Sequence, residues 1–557
     1  MSPVILEKTP DTVNTIQLRD YQRQCLHAIL SRYREGIRRQ LVCLPTGSGK
    51  TVIFADFPRY FQMKNQMLVL AHRQELLDQA REKIRRANPD LRVEIEQAGR
   101  KADPDCDVVV ASVPTLGRKG SRRLSRMDPD RFYLIVVDEA HHSTAATYKR
   151  VLNHFGVFDE DTKKLVVGFT ATPKRGDGQG LEAVYQEITF SRDISEMIAA
   201  NYLAPLAGYR VETDVDLSRV RRRMGDFVTS QLAAAVNIGE RNDLVVDVYR
   251  RYLEGRPTLC FCVDVAHVKS VTTAFRKNGI PAAGITGEME RSARESILRD
   301  FRNGKIRVLA NCMVLTEGYD EPSVSGIILA RPTQSALLYT QMIGRGTRLY
   351  PGKENVTVVD VVDATRDHSL TTLPELFGLS GEFDLQGHTT DYARSAMEWA
   401  RAHRPWVDVE STGSIDDLRY RCQKIDLMCL ETPAEIKSFS RFAWVRSGKG
   451  CFRLGLSDGN AITITRTILD NWEVSLRHSG RDLELMHHKS VPEAIESAET
   501  YVAGHLPDAV GLVLRDTRWR RQPATIKQIQ LLKKKHIDVP DGITKGQASH
   551  LIGMLPV

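Results

Sequence analysis

Leu41-Val42-Cys43-Leu44-Pro45-Thr46-Gly47-Ser48-Gly49-Lys50-Thr51-Val52-Ile53 is the stretch on which the reading of this chain turns. A short apolar run reads as a buried strand, the Gly/Ser segment as a loop, and the apolar stretch after Lys50 as a helix. Glycines let the backbone fold round an anion so that successive N–H groups point inward, and the start of a helix adds partial positive charge. In such a loop Lys50 would reach the β- and γ-phosphates of a nucleotide, and the Thr51 hydroxyl would hold Mg²⁺. Thr46, Gly47, Ser48 and Gly49 supply the cradle. The first glycine of the general GxxxxGK[ST] pattern is Leu44 here.

Working outward, the next signal is Leu134-Ile135-Val136-Val137 followed by Asp138-Glu139-Ala140-His141, with Asp138 lying 88 residues beyond Lys50. Carboxylates at the C-terminal end of a buried parallel strand face a ligand crevice. Asp138 would hold Mg²⁺ and Glu139 would polarise the attacking water as general base. Further β-branched apolar runs recur at Met67–Ala71, Val108–Ala111, Leu165–Phe169, Leu259–Val263, Val308–Ala310, Gly326–Leu329 and Val356–Val362. Continuous apolar strands alternating with amphipathic stretches indicate parallel sheets covered on both faces. The runs are too many for one small sheet, so two stacked α/β lobes are expected, joined near 201–237. That join carries the cluster Arg219, Arg221, Arg222 and Arg223.

The 557 residues exceed one core. With 42% hydrophobic and 27% charged residues the composition is that of a globular protein, and a net charge of +8 leans mildly toward a polyanionic partner. The nine cysteines are scattered without CxxC spacing, which supports neither a disulfide framework nor a zinc site. The first residues lack the apolar core of a signal peptide, and no apolar run approaches the ~18 residues of a membrane span. A cytoplasmic location and no membrane partner are the expectations.

From about Ile16 to Asp363 the chain resembles superfamily 2 helicases, and within them the DEAH-type group of XPB, RadD, the Irc-type helicases and type I restriction motors. The resemblance is carried by Leu18-Arg19-Asp20-Tyr21-Gln22, Leu70–Leu76, Ser112–Leu116, Asp138–His142, Thr170–Gly178, Thr316–Asp320 and Thr340–Arg348. It implies two tandem RecA-like parallel-sheet domains and ATP hydrolysis with Mg²⁺ between them. It implies adenine recognition by Arg19 and Gln22, and nucleic-acid contacts from Arg73, Thr115 and Thr316. His141, Thr170 and Thr172 would couple hydrolysis to strand movement. Gly318 and Asp320 would bridge the nucleotide. Gln341 would position water, and Arg345 and Arg348 would act as fingers on the phosphates, where a planar guanidinium can spread over equatorial oxygens. The Arg-Glu-Asp element of XPB and the cysteine-rich segment of RadD are not found, so the group is identified rather than either protein. No nuclease motif is visible.

The expected organisation is α/β throughout the motor: residues 1–205 as the first, ATP-binding domain and 206–370 as the second. A linker with helix (371–440), a small strand-rich domain (441–510, with a turn at Asp458-Gly459-Asn460) and a basic helical-hairpin tail (511–557) follow. The tail carries nine basic and three acidic residues. Two capping boxes, Thr525–Gln528 and Thr544–Gln547, mark its helix starts, with Ile526, Ile529 and Leu532 expected to face Leu551, Ile552 and Leu555. Arg520 is expected among its exposed cations. The resemblance favours DNA, single-stranded, duplex or branched, as partner and a role in repair, recombination or genome defence. An RNA helicase and a nucleotide-gated DNA-binding scaffold that does not unwind remain the alternatives.

Overall fold

The computed structural model describes residues 17–172, 180–223, 225–316, 318–364, 370–404, 407–423, 432–446, 450–456, 460–467, 471–478, 481–534, 537, 539 and 541–554. Pro173–Gly178, Glu317, Asp458-Gly459 and Leu555 of the sequence reading lie outside them. The chain forms two compact units, one ending at Gly381 and one beginning at Glu382.

The first unit holds two wholly parallel sheets. The first lobe contributes β1 (Arg39–Cys43), β2 (Gln66–Ala71), β3 (Val93–Glu96), β4 (Val108–Ser112), β5 (Phe132–Asp138), β6 (Leu165–Thr170) and β7 (Glu187–Ser191), ordered β3-β4-β2-β5-β6-β1-β7. The five inner strands are buried almost end to end, because helices cover both faces. Their Leu, Ile and Val side chains each contribute roughly 1.5–3 kcal/mol of hydrophobic stabilisation. The second lobe begins at β8 (Leu206–Asp216), followed by a two-residue hairpin of β9 (Arg222–Arg223) and β10 (Asp226–Phe227). Its sheet is completed by β11 (Thr258–Phe261), β12 (Ala282–Ile285), β13 (Val308–Asn311), β14 (Gly326–Leu329) and β15 (Val356–Ala364), ordered β12-β13-β11-β14-β15-β8. All nine apolar runs of the sequence reading are strands. Four strands of the two parallel sheets were not anticipated: β3, β7, β8 and β12, each at the edge of its sheet.

A buried ion pair pins the second lobe. Arg241 donates to both carboxylate oxygens of Asp363, at 2.8 Å each, and to the Ala330 carbonyl. The two side chains are 1% and 0% exposed. Thr213 also donates to Asp363, so the charge is fully solvated by protein.

In the second unit β16 (Val445–Arg446), β17 (Cys451–Gly455), β18 (Ala461–Arg466), β19 (Trp472–His478) and β20 (Arg481–His488) form an antiparallel meander. Phe452, Leu454, Ile462, Ile464 and Val474 pack against Ala494, Ile495, Ala498 and Val502 of the helix Val491–His505. Helices Thr390–His403 and Ile415–Gln423 precede the sheet. Both capping boxes of the tail form: Thr525 and Gln528 exchange bonds of 2.9 and 3.2 Å, and Thr544 and Gln547 bonds of 3.0 and 3.3 Å. Leu532 and Leu551 meet in a small core with Val445, Ile537 and Ile543.

Three details of the tail differ from expectation. Ile526 is 74% exposed rather than packed, because it opens its helix ahead of the buried stripe. Arg520 is buried, bonded to His550 Nε2 at 3.0 Å and to the Leu512 carbonyl. The expected break at residue 510 falls inside the helix Pro507–Val513, whose Val513 belongs to the core of the meander.

No helix among the described residues is long and apolar enough to cross a membrane. The Arg241–Asp363 pair generates a stability prediction. Arg241→Ala strands a buried carboxylate and should destabilise the second lobe by about 3–5 kcal/mol. Arg401→Ala, which breaks the exposed pair with Glu410, should cost under about 1 kcal/mol. Urea unfolding of both variants checks this, and equal midpoints would contradict it.

Candidate active site

The loop after β1 turns on two glycines with positive φ, Gly47 at 88° and Gly49 at 80°. L residues with side chains rarely take that conformation. Gly49 starts the helix Lys50–Ala55. Lys50 Nζ donates back across the loop to the Leu44 carbonyl at 3.3 Å. Thr46 Oγ1 and Ser48 Oγ are buried without a hydrogen-bond partner. An orphaned hydroxyl pair beside an ammonium and two side-chain-free positions fits a phosphate-bearing ligand.

Asp138 and Glu139 follow β5, at 4% and 5% exposure. Glu139 has φ of 50°, a strained backbone of the kind that over-determined sites retain. Burial, reinforced by the Glu139 carboxylate, pushes the Asp138 carboxyl up to about 6, and Lys50 opposes the shift. A divalent cation or ammonium at that point would relieve the crowding, which is the donor chemistry expected of a Mg²⁺ site. His141 Nδ1 lies 3.4 Å from Glu139 Oε2 and 3.5 Å from Thr170 Oγ1. Thr170 Oγ1 in turn donates to the Thr172 carbonyl at 2.8 Å. The three residues expected to couple therefore form one chain of contacts ending on Glu139.

The second lobe closes directly onto the loop. Thr347 Oγ1 donates to the Thr46 carbonyl at 3.2 Å, and the Thr347 carbonyl accepts from Ala204 N–H at 2.7 Å. A Cβ on Gly47 would stand 2.8 Å from Thr347 Oγ1, and one on Gly344 would stand 2.5 Å from Thr46 Cβ. Both glycines are needed for the approach. Arg345, buried, donates to the Tyr319 carbonyl at 3.0 Å. Arg348 Nε pairs with Asp320 at 2.9 Å. Burial holds the Arg348 guanidinium below its usual range, against the pull of Asp320. Gln341 is buried on the helix Ala336–Ile343. The structure thus brings Lys50, Asp138 and Glu139 into one unit with Gly318, Asp320, Gln341, Arg345 and Arg348.

Gln22 lies behind the loop, its Oε1 accepting from Arg19 N–H at 2.9 Å and its amide donating to the Ser48 carbonyl at 3.4 Å. Arg19 donates to the Tyr202 carbonyl at 3.0 Å and stands 5.7 Å from that ring. Arg73 donates to the Met313 carbonyl at 2.8 Å, which also accepts from Thr316 Oγ1 at 3.0 Å. Thr115 stands apart, its Oγ1 accepting from Ala98 N–H at 3.3 Å.

Two contributors were missed. Tyr202 packs 4.6 Å from Tyr21, whose hydroxyl donates to the Ser48 carbonyl. Lys83, on the helix Gln74–Ala87, lies 3.8 Å from Asp320. Burial lowers the Lys83 ammonium, while Asp320 and Asp138 push it back up. Glu75, Gln79 and Lys83 share the 4-residue helical spacing that puts them on one face. Glu75 pairs with Arg294 at 2.8 Å and Gln79 donates to the Gly318 carbonyl. That spacing was the available signal.

The chain matches the mitochondrial ATP-dependent helicase irc3 of Schizosaccharomyces pombe with 34% identity over 96% of this chain and 90% of that protein. The chain belongs to the Irc3 family of ATP-dependent helicases. It is also 38% identical to the ATP-dependent helicase IRC3 of Saccharomyces cerevisiae, over 66% of this chain and 55% of that one. The DNA 3'-5' translocase XPB2 of Sulfurisphaera tokodaii is 24% identical over 64% of this chain and 84% of its own. Three family profiles match in order: "Type III restriction enzyme, res subunit" at 15–175, "Helicase conserved C-terminal domain" at 240–350 and "Mitochondrial helicase Irc3, C-terminal domain" at 414–556.

The chain is therefore an ATP-using, nucleic-acid-binding helicase of superfamily 2. The expected cytoplasmic location is corrected, because the C-terminal profile and the S. pombe relative are both named as mitochondrial. A missing secretory core and reduced thiols do not separate cytoplasm from the mitochondrial interior, whose leaders are amphipathic rather than apolar.

The glycine contact generates a second prediction. Gly344→Ala should displace the second lobe from Thr46. A displacement near 1 Å in a catalytic arrangement costs ~10²-fold in kcat. Gly239→Ala, where an added Cβ meets nothing within 4 Å, should leave turnover intact. Steady-state ATPase of the two variants distinguishes them, and near-normal kcat for Gly344→Ala would remove the contact from the catalytic geometry.

Proposed function

We propose that this helicase is a DNA motor that hydrolyses ATP between its two lobes and moves on, or unwinds, DNA in repair, recombination or genome defence. The observation that carries the reading is the seating of Thr46 and Gly47 on Gly344 and Thr347, which joins Lys50, Asp138 and Glu139 to the arginines of the second lobe. Lys50 binds the β- and γ-phosphates, with Thr46, Gly47, Ser48 and Gly49 as the cradle. Thr51 and Asp138 hold Mg²⁺, which supplies charge neutralisation on the phosphates. Glu139 accepts the proton of the attacking water, positioned with Gln341. Arg345 and Arg348 stabilise charge on the transferred phosphoryl group once they leave the Tyr319 carbonyl and Asp320. Arg19 and Gln22, joined by Tyr202, read the adenine end.

Arg73 and Thr316 meet at the Met313 carbonyl across the lobes. Strand contact there would bear on closure, and the His141–Thr170–Thr172 chain would carry the change to Glu139. DNA is favoured over RNA by the XPB2 relative, named as a DNA translocase. The exposed Lys527, Lys533 and Lys534 of the tail supply a second surface for phosphates.

Glu139→Gln should keep ATP binding and lose ~10²–10⁴-fold of hydrolysis, read by nucleotide-binding fluorescence beside phosphate release. Turnover near that of the parent chain would reject Glu139 as base. ATPase rates on single-stranded, duplex and forked DNA, and on matched RNA, at fixed salt, test the substrate. Stronger stimulation by RNA would replace DNA, and stimulation without strand displacement or roadblock removal would favour a gated scaffold.

Neutralising Lys527, Lys533 and Lys534 to Gln tests the tail without opening its core. The slope of log affinity against log salt should flatten by about 0.9 per lost duplex contact. An unchanged slope assigns the tail to folding or to a protein partner.

A further inference from the structure

Between β8 and the helix Thr229–Val236 the chain makes a small prong that the ATP chemistry does not use. Its core is the β9–β10 hairpin, with Arg222 opposite Phe227 and Arg223 opposite Asp226. The neck is closed by Val228 N–H donating to the Arg221 carbonyl at 2.8 Å, and Arg221 N–H donating to Gln231 Oε1 at 2.8 Å.

Two sets of contacts fix the prong to the lobe. Leu217, Val220 and Phe227 are buried against Val263, Val362 and Leu370. Asp226 accepts from Thr333 Oγ1 at 2.9 Å and Gln334 N–H at 3.0 Å, and pairs with Arg331 at 3.4 Å. Two residues would form no hairpin in water unaided, so this anchoring holds its shape. What it presents is four exposed guanidinium groups within five residues: Arg219, Arg221, Arg222 and Arg223. Among the described residues none of the four is in an ion pair. Clustered like charges on a fixed mount raise the local positive potential and attract a polyanion.

Position in the sheet says which anion. All six strands of the second sheet run parallel, so their C-terminal ends share one edge. Val263, Arg331 and Val362, which anchor the prong, lie at or just beyond the C-terminal ends of β11, β14 and β15. Thr316 follows β13 on that same edge.

We infer that the 217–228 prong is a phosphate-backbone contact for the nucleic acid on which the motor moves, extending the track beyond Thr316 along the C-terminal edge of the second sheet. Arginine suits this because its planar fork pairs with phosphate oxygens in two-point geometry. The contact is sequence-independent and salt-sensitive, as a travelling motor requires. It rests on the reading of the chain as a DNA motor.

The test uses the full chain with all four arginines changed to Gln, and a second variant with all four changed to Lys. Duplex-DNA affinity is measured by anisotropy across a salt series, beside basal and DNA-stimulated ATPase. In the Gln variant the salt slope should fall by about 0.9 for each lost duplex contact, and the DNA concentration for half-stimulation should rise. Basal ATPase and the maximum stimulated rate should hold. The Lys variant, which keeps the charge, should recover most of the slope. A Gln variant matching the parent chain in slope and half-stimulation overturns the prong while leaving the DNA-motor reading intact, and leaves an acidic protein as the occupant. A parent chain that binds neither single-stranded, duplex nor forked DNA overturns both.

Discussion

The fold depends on one close approach. In the proposed mechanism the phosphate loop and its catalytic complement sit on different sheets, and the two meet where Thr46 and Gly47 touch Gly344 and Thr347. Four residues there have small or compact side chains for a steric reason, since a Cβ on either glycine would collide with the facing threonine. On that mechanism, hydrolysis would be conditional because of this division. A site shared between two rigid bodies is complete only when they close, so any ligand that prefers the closed arrangement raises the population able to react. The parallel sheets serve this purpose by delivering loops to one edge of each lobe.

Much of this was legible because the decisive signals are local. The apolar runs that became inner strands are buried on both faces, so they read as unbroken hydrophobic stretches. The loop and acidic box are fixed by chemistry at short spacing. The four sheet strands that escaped notice are edge strands without an unbroken run of large apolar residues. β3 is Val-Glu-Ile-Glu and β12 is Ala-Ala-Gly-Ile, whose Gly284 admits Val268 at a distance no side chain would allow. Small and alternating residues there answer to neighbours distant in sequence, and one sequence does not display them. The same reason hid Tyr202 and Lys83: a tyrosine and a lysine in unremarkable company become site residues only through the fold. Arg520 shows the reverse failure. Counted as one surface cation among nine, it is buried against His550 and Leu512, and Gly546 beside it leaves no room for a side chain.

The helix Gln74–Ala87 links the two lobes. It begins next to Arg73, which reaches Met313 in the second lobe, and its face carries Glu75, Gln79 and Lys83 onto Arg294, Gly318 and Asp320. Asp320 is shared between Lys83 and Arg348, so a finger of the proposed transition state is held by a carboxylate that also answers to the first lobe. Lys83 in turn feels Asp138. Charges in this half-buried seam are screened less than surface pairs, so moving one alters the balance at the others. A strand that drew Arg73 off the Met313 carbonyl would loosen the start of this helix face, and a nucleotide that drew Arg348 off Asp320 would leave Asp320 to Lys83 alone. Under the proposed mechanism, nucleotide and strand would act on the same short run of contacts from opposite ends, and by linkage each would alter the affinity for the other.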